Sequence, residues 1–148
     1  MTIAEIRNAE AGDLVDWMPL WEGYLSFYKV EIAPEITMNS WARILDPMNP
    51  LTSRVALVGG SMVGFANFHT HLTTWDTRPV CYLEDLFVGP TARGLGLGRQ
   101  LIDDMLAIGR QKDWASVYWI TAEDNATAQK LYDTYNKRDA FVRYSVSL

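Results

Sequence analysis

Three alternating glycines between two arginines are the residues of this chain best suited to hold an anion. They form the stretch Arg93-Gly-Leu-Gly-Leu-Gly-Arg99. Glycine adopts left-handed backbone conformations at little cost and lets a ligand approach the main chain. The N–H groups that open a helix attract negative charge, and guanidinium groups add charge-assisted hydrogen bonds. The stretch predicts a phosphate or diphosphate site formed by the backbone of residues 95–99, with a tight strand-to-helix turn as the alternative.

Two common phosphate-binding motifs do not match this stretch. A P-loop requires Lys and then Ser or Thr after its last glycine, whereas Gly98 is followed by Arg and Gln. The dinucleotide fingerprint Gly-x-Gly-x-x-Gly fails from Gly94 and from Gly96, because the sixth residue is not glycine in either register. The pattern that fits is Arg-x-x-Gly-x-Gly, beginning at Arg93.

Hydrophobic periodicity and turn residues indicate the elements that position this loop. We expect strands at 3–8, 54–58, 62–70, 79–88, 115–121 and 141–146, and helices at 11–29, 37–46, 97–112 and 125–135. Pro19 is expected to kink or split the first helix, and Gly59-Gly60 to close a hairpin. The order β-α-α-β-β-β-α-β-α-β predicts an α/β (α+β) fold, with a mixed, mostly antiparallel central sheet of about six or seven strands and helices on both faces. A single domain is expected to cover residues 1–148.

Composition narrows the class of partner. The formal net charge is −5 with no block of Lys or Arg, which argues against nucleic-acid binding and leans towards a cationic or neutral small molecule. No apolar run has the ~18 residues of a membrane span, and the N-terminus does not resemble a signal peptide. The single cysteine, Cys81, excludes an internal disulfide, so a cytoplasmic location is expected.

Together these motifs resemble the GNAT superfamily of N-acetyltransferases. The resemblance is carried by the glycine loop, by the preceding strand Leu83-Glu-Asp-Leu-Phe-Val88, and by Asn125-Ala-Thr-Ala-Gln-Lys-Leu-Tyr132, which is similar to the family's Asn-x-x-Ala-x-x-Leu-Tyr helix. The element order also resembles that of the family. Further segments resemble the histone-and-polyamine and diamine acetyltransferase branch: Trp17–Tyr24, His71–Asp76, Tyr82–Asp85 and Ser116–Trp119.

The resemblance implies that acetyl-CoA is the co-substrate and that no metal takes part. Its diphosphate would lie in the glycine loop, and its pantetheine arm in a gap beside the strand that precedes the loop. The residues implied in coenzyme binding are Leu86, Phe87, Val88, Arg93, Gly94, Leu95, Gly96, Leu97, Gly98, Arg99, Asn125 and Tyr132.

The resemblance also implies a catalytic base and acid. Glu84 corresponds to the proton-accepting glutamate of diamine acetyltransferases, which acts through water, and Tyr132 would protonate the departing thiolate. A backbone N–H near Val88 would hold the negative charge on the carbonyl oxygen. Burial of Glu84 in its apolar strand would raise its pKa. Strand alternation predicts that Asp85 points to the opposite face.

Aromatic and acidic residues are candidates for the acceptor pocket, because they suit a cationic amine. These candidates are Tyr24, Tyr28, Trp75, Asp76 and Asp85. His69 and His71 share a strand face, but the sequence offers no evident third metal ligand.

The sequence therefore predicts an acetyl-CoA-dependent N-acetyltransferase in which a primary amine attacks directly. A small acceptor such as a polyamine or an amino acid is favoured. A protein or histone lysine acetyltransferase and a non-catalytic CoA-binding module are the alternatives. A homodimer or higher homo-oligomer is expected, with residues 141–148 as an exchanged edge. The sequence does not identify the acceptor.

Overall fold

The computed structural model describes residues 2–148, which form five strands and four α-helices. The strands are β1 (Glu5–Asn8), β2 (Thr52–Val58), β3 (Ser61–His71), β4 (Val80–Val88) and β5 (Ser116–Trp119). The helices are α1 (Leu14–Phe27), α2 (Pro34–Leu45), α3 (Leu97–Gln111) and α4 (Ala126–Tyr132). Short 3-10 turns precede α1 and α3, at Ala11–Asp13 and Pro90–Ala92.

The strands form one sheet in the order β1-β2-β3-β4-β5. The first four strands are antiparallel, and β5 pairs in parallel with β4. Gly59 and Gly60 join β2 to β3 with φ of 58° and 82°. Left-handed angles at both central residues belong to the tight hairpin turn that glycine permits.

Helices cover both faces of the sheet and bury separate cores. On one face, α1 and α2 place Trp17, Trp21 and Trp41 against Phe65 and other apolar strand residues. The Trp21 indole donates a buried hydrogen bond of 3.1 Å to the Thr37 hydroxyl, which joins the two helices. On the other face, the apolar side of α3 packs on strand residues whose side chains point away from α1 and α2. Ala66, which follows Phe65 in β3, is one of them.

The structure corrects three sequence expectations. The first helix is not split at Pro19 but continues through it, and the buried Trp17 and Trp21 on either side pack against the sheet. The second helix begins at Pro34 rather than at residue 37, because the missing N–H of proline costs nothing at the first helical position. The sheet has five strands within residues 2–148 rather than six or seven.

The missing strand is the one expected at 141–146. Residues 141–148 form neither helix nor strand. Five apolar side chains of this segment are at least 77% exposed: Phe141, Val142, Tyr144, Val146 and Leu148. Alternation of apolar residues is a property of the sequence, but a strand also requires a neighbour, and the segment pairs with none of the described strands.

Among residues 2–148, no helix is both long and apolar enough to cross a membrane.

Candidate active site

The glycine loop opens α3 in the geometry that its sequence predicts. Gly94 and Gly96 both have φ of 78°, and a Cβ added at either position would meet no described atom within 4 Å. The first helical bond of α3 runs from Gln100 N–H to Gly96 O at 3.2 Å. The N–H groups of residues 97–99 come before that bond, so they lack an intrahelical acceptor. The loop thus presents open space, two left-handed glycines and free amide donors to one side.

The two arginines are attached at opposite sides of this loop. The Arg93 Nε donates to the Val88 carbonyl at 3.1 Å, at the end of β4, and its guanidinium lies 5.5 Å from the centre of the Phe87 ring. The Arg99 Nη2 donates to Thr134 Oγ1 at 3.0 Å, beyond the end of α4. Both contacts are exposed, so the loop carries two positive charges that solvent and a ligand can reach.

Strands β4 and β5 separate just before the loop. Their pairing covers Val80–Leu83 opposite Ser116–Trp119, and the rest of β4 has no partner on that side among the described strands. Gly89 N–H donates to β3, at Val63 O, and main-chain groups alternate in direction along a strand. The backbone groups of Leu86 and Val88 therefore face the gap. Those of Phe87 face β3, although the family resemblance implied all three residues in coenzyme binding.

Helix α4 borders the same gap. Asn125 caps it, with its side-chain oxygen accepting from Ala128 N–H at 3.2 Å. Tyr132 ends it and packs edge-on against Trp119 of β5, with ring centres 5.5 Å apart. Burial raises the pKa of the Tyr132 hydroxyl to about 12. That hydroxyl is therefore protonated at neutral pH and available as a donor.

A β-bulge in β4 places two consecutive carboxylates on one face. Asn67 of β3 lies opposite Asp85, but the next residue, Phe68, lies opposite Leu83, so Glu84 is an extra residue in β4. Both carboxylates line the same cavity. The expectation that alternation would point Asp85 away from Glu84 is therefore wrong, because a bulge interrupts the alternation of side chains.

The two carboxylates differ in environment. Glu84 is exposed, so the burial expected from its apolar strand is absent. Asp85 is only 9% exposed, and burial raises its pKa to about 6, while hydrogen bonds from Tyr24 and Asn67 partly oppose that rise. The Asn67 amide donates to Asp85 Oδ2 at 3.0 Å.

The cavity beneath these carboxylates has a volume of about 690 Å³. Its walls come from α1, α2 and the adjoining strands, and the lining includes Trp21, Tyr24, Tyr28, Arg43, His69, Glu84 and Asp85. Tyr28 lies beside Tyr24, with the centres of the two rings 5.0 Å apart. A cation with an apolar body would find both carboxylate and aromatic surface here.

Trp75 and Asp76 do not line this cavity in the part of the chain that the structure describes. Trp75 is 87% exposed. The Asp76 carboxylate forms an ion pair with Arg78 at 2.9 Å, and hydrogen bonds from Arg78 hold its pKa low, at about 2.

The histidines do not assemble a metal centre. The two ring nitrogens of His71 lie 2.7 Å from the Leu72 carbonyl and 2.9 Å from the Tyr118 hydroxyl. No group of three or more His, Cys, Asp or Glu side chains within residues 2–148 is arranged to hold a metal ion. Cys81 is buried, and burial raises its pKa to about 12.

Sequence reasoning missed Asn67 and Arg43. Asn67 contacts Asp85 only through the register of two strands, which no local pattern specifies. Arg43 is a polar residue in the last turn of α2. Nothing in the neighbouring sequence distinguishes it from an arginine that faces solvent.

Comparisons with known proteins agree with this architecture. A sequence model of the acetyltransferase (GNAT) family matches residues 15–135. The D-amino-acid N-acetyltransferase HPA3 of Saccharomyces cerevisiae is 35% identical over 129 residues, which cover 86% of this chain and 80% of that protein. The thialysine N-epsilon-acetyltransferase of Sus scrofa is 32% identical over 81 residues, which cover 55% of this chain and 47% of that protein.

A solved aminoglycoside N-acetyltransferase, in complex with CoA, shares the fold. It superposes with a TM-score of 0.77 at 24% identity, covering 99% of this chain and 97% of that one. The family match, the yeast relative and the loop–gap geometry lead to one conclusion: the chain belongs to the GNAT family and is an N-acetyltransferase.

Proposed function

We propose that the protein transfers the acetyl group of acetyl-CoA to the primary amine of a small molecule. The observation that carries the proposal is the meeting of two sites at β4. The glycine loop and the β4–β5 gap lie on one side, and the cavity with its paired carboxylates lies on the other. Relatives named for D-amino acids, thialysine and aminoglycosides support an amine acceptor.

The residues around the loop fit a coenzyme with a diphosphate. Free amides at 97–99, open space at Gly94 and Gly96, and the charges of Arg93 and Arg99 suit the diphosphate. The gap-facing backbone of Leu86 and Val88 suits the pantetheine amides, and the Asn125 amide nitrogen remains available beside them because only its oxygen serves the cap. Acetyl-CoA supplies an acyl group activated as a thioester.

Three groups of the chain then serve the transfer. A carboxylate of the bulge accepts one proton from the ammonium ion of the acceptor, and the neutral amine then attacks the acetyl carbon. The resemblance assigns this role to Glu84, whose exposed position suits transfer through water. The Val88 N–H holds the charge that develops on the carbonyl oxygen. Tyr132 donates its proton to the departing sulfur. The high pKa of the Tyr132 hydroxyl keeps that proton on the oxygen until the sulfur departs.

The cavity favours an amino acid over a polyamine among small acceptors. Besides the acidic pair on the strand side, its lining includes Arg43 of α2, whose Nη2 contacts the Ser40 hydroxyl at 3.1 Å. A guanidinium group suits an acceptor that carries a carboxylate as well as an amine. A polyamine has no group for that charge.

The test is release of free thiol from acetyl-CoA against a panel of amino acids of both hands, polyamines, aminoglycosides and histone-tail peptides. Amino acids should give the highest kcat/KM. Turnover confined to the peptides would favour a protein acetyltransferase, and tight acetyl-CoA binding without turnover would favour a non-catalytic module. Tyr132→Phe should lower kcat by a larger factor than it weakens CoA binding, and an unchanged kcat would reject the acid role.

We also propose that the chain forms a homodimer by exchanging residues 141–148. Among the described strands, β5 has no neighbour on its outer edge, and each chain also presents an unpaired segment with five exposed apolar side chains. In a dimer, the segment 141–148 of each copy would pair with the outer edge of β5 in the other copy. Light scattering should give a dimer mass for residues 1–148 and a monomer mass after truncation at residue 140. A monomer mass for residues 1–148 would contradict the exchange.

A further inference from the structure

The bulge gives the site two neighbouring carboxylates with unequal surroundings. Glu84 is exposed at the cavity, whereas Asp85 is 9% exposed and lies under α1. Burying an ionisable group costs free energy unless other groups compensate it. A strand that has to bury a carboxylate in this way keeps it for a reason other than stability.

Two polar side chains face the Asp85 carboxylate. The Asn67 amide donates to Oδ2 at 3.0 Å, and the Tyr24 hydroxyl of α1 lies near enough to lower the pKa of Asp85. Asn67 is itself 3% exposed, and its Oδ1 finds no hydrogen-bond partner within residues 2–148. The hydrogen bond to Asp85 is therefore the one that the Asn67 side chain makes within the described residues, and its oxygen stays unpaired.

We infer that Asp85 takes the proton from the acceptor amine, with Asn67 and Tyr24 as positioning residues and Glu84 as the exposed carboxylate that attracts the ammonium ion. This inference rests on the proposed function and reassigns the base within it. A buried, oriented carboxylate at the cavity wall approaches the amine with a fixed lone pair, whereas an exposed side chain must first lose its rotamer freedom.

The protons balance in this scheme. The ammonium nitrogen loses one proton to Asp85, attacks the acetyl carbon to form the N–C bond, and loses its second proton as the C–S bond breaks. The sulfur takes one proton from Tyr132, which the second nitrogen proton replaces. Asp85 passes the first proton to solvent, so each turnover releases one proton, one free thiol and one amide.

The surroundings of Asp85 set the pH at which it works. Ionisation is required, so activity should fall as the pH drops through its pKa of about 6. The amine of such an acceptor titrates at about 8 or higher, above this range. The titratable and charged groups that face Asp85 or line its cavity are Tyr24, Tyr28, Arg43, His69, Tyr82 and Glu84.

The experiment compares pH profiles of kcat/KM for the wild type, Asp85→Asn and Glu84→Gln. Loss of a general base lowers the rate by roughly 10²- to 10⁴-fold. Asp85→Asn should show that loss with the Kd for CoA unchanged, whereas Glu84→Gln should raise KM by less than about tenfold and keep the fall near pH 6. Asn67→Ala and Tyr24→Phe each remove a donor that favours the ionised form, so both should move the fall to higher pH.

Ser53→Ala is the matched control, because Ser53 lies opposite Asn67 on β2, is buried, and makes no side-chain hydrogen bond to a described residue. Its profile should match that of the wild type. Loss of the acidic fall in Glu84→Gln together with its retention in Asp85→Asn would overturn the inference and return the base to Glu84. An unshifted profile in both donor variants would also overturn it. Failure of the wild type to release thiol with any amine would instead refute the proposed function.

Discussion

The left-handed backbone at Gly96 gives a quantitative test of the proposed coenzyme loop. Gly96 has φ of 78° at the N-cap of α3. An added Cβ would meet no described atom within 4 Å, so Gly96→Ala creates no clash and changes only the backbone preference. The left-handed region costs a residue with a Cβ about 1–2 kcal/mol.

That cost has to appear either in folding or in binding. If the loop keeps its shape, the free energy of unfolding falls by about 1–2 kcal/mol. If the loop relaxes in the free protein, the strain returns when the ligand restores the bound shape. The Kd for CoA then rises by about 5- to 30-fold, since 1.4 kcal/mol corresponds to a factor of ten. The two losses together should add to about 1–2 kcal/mol.

Gly59→Ala is the matched control. Gly59 also has a left-handed φ, 58°, with no described atom within 4 Å of an added Cβ, and it lies in the β2–β3 hairpin. It should lower the free energy of unfolding by a similar amount and leave the Kd for CoA unchanged. The measurements are urea unfolding and calorimetric titration with CoA. Equal weakening of CoA binding by both variants, or no effect of Gly96→Ala on either quantity, would refute the assignment of this loop to the diphosphate.

Three further predictions concern the acceptor cavity and α4. Asp85 has a raised pKa, so the folded state binds its proton more tightly than the unfolded state, and the free energy of unfolding should fall as the pH rises from about 4 to 6. In urea unfolding at several pH values, Asp85→Asn should flatten that fall, and an unchanged pH dependence would contradict the burial of the charge. Asn125→Ala should lower the free energy of unfolding by about 1 kcal/mol through loss of the α4 cap, whereas Asn125→Asp keeps the cap oxygen and should weaken only CoA binding, as urea unfolding and calorimetry can show. Arg43→Met should raise KM for amino-acid acceptors at least severalfold and leave KM for amines without a carboxylate unchanged; equal effects on both would exclude Arg43 from carboxylate recognition.

Local signals in the sequence predicted the backbone geometry of the glycine loop and the start of α4. The loop from Arg93 to Arg99 needs glycines at left-handed positions, and residues of that kind are visible without any knowledge of tertiary contacts. The helix that carries Tyr132 begins at an asparagine cap, which is again a local feature. Where structure depends on the preferences of neighbouring residues, the sequence was sufficient.

The acceptor side was predicted less well because it depends on register and on partners. Alternation assigned Glu84 and Asp85 to opposite faces, but one extra residue in β4 brought both to the cavity. Asn67 came to Asp85 through strand pairing, at a separation of 18 residues. In the terminal segment 141–148, apolar and polar residues alternate as in a strand, but the segment pairs with none of the described strands.

In the proposed function, the bulge also lets one strand serve two substrates. Leu83 and Leu86 are three residues apart in β4 and still both pack in the core beneath α3, because the bulge shifts the alternation between them, while Phe87 packs beneath α1. Without the extra residue, one of the two carboxylates would have to enter the α3 core, where nothing polar could compensate its charge. The insertion at Glu84 keeps both acids on the acceptor side without changing the apolar contacts of α3. It leaves the following residues, Leu86 and Val88, with their backbone groups in the β4–β5 gap. Deleting Glu84 should therefore do more than remove one carboxylate: by shifting the register of one of its flanks, it should impair CoA binding and acceptor turnover together, whereas Glu84→Gln should spare CoA binding.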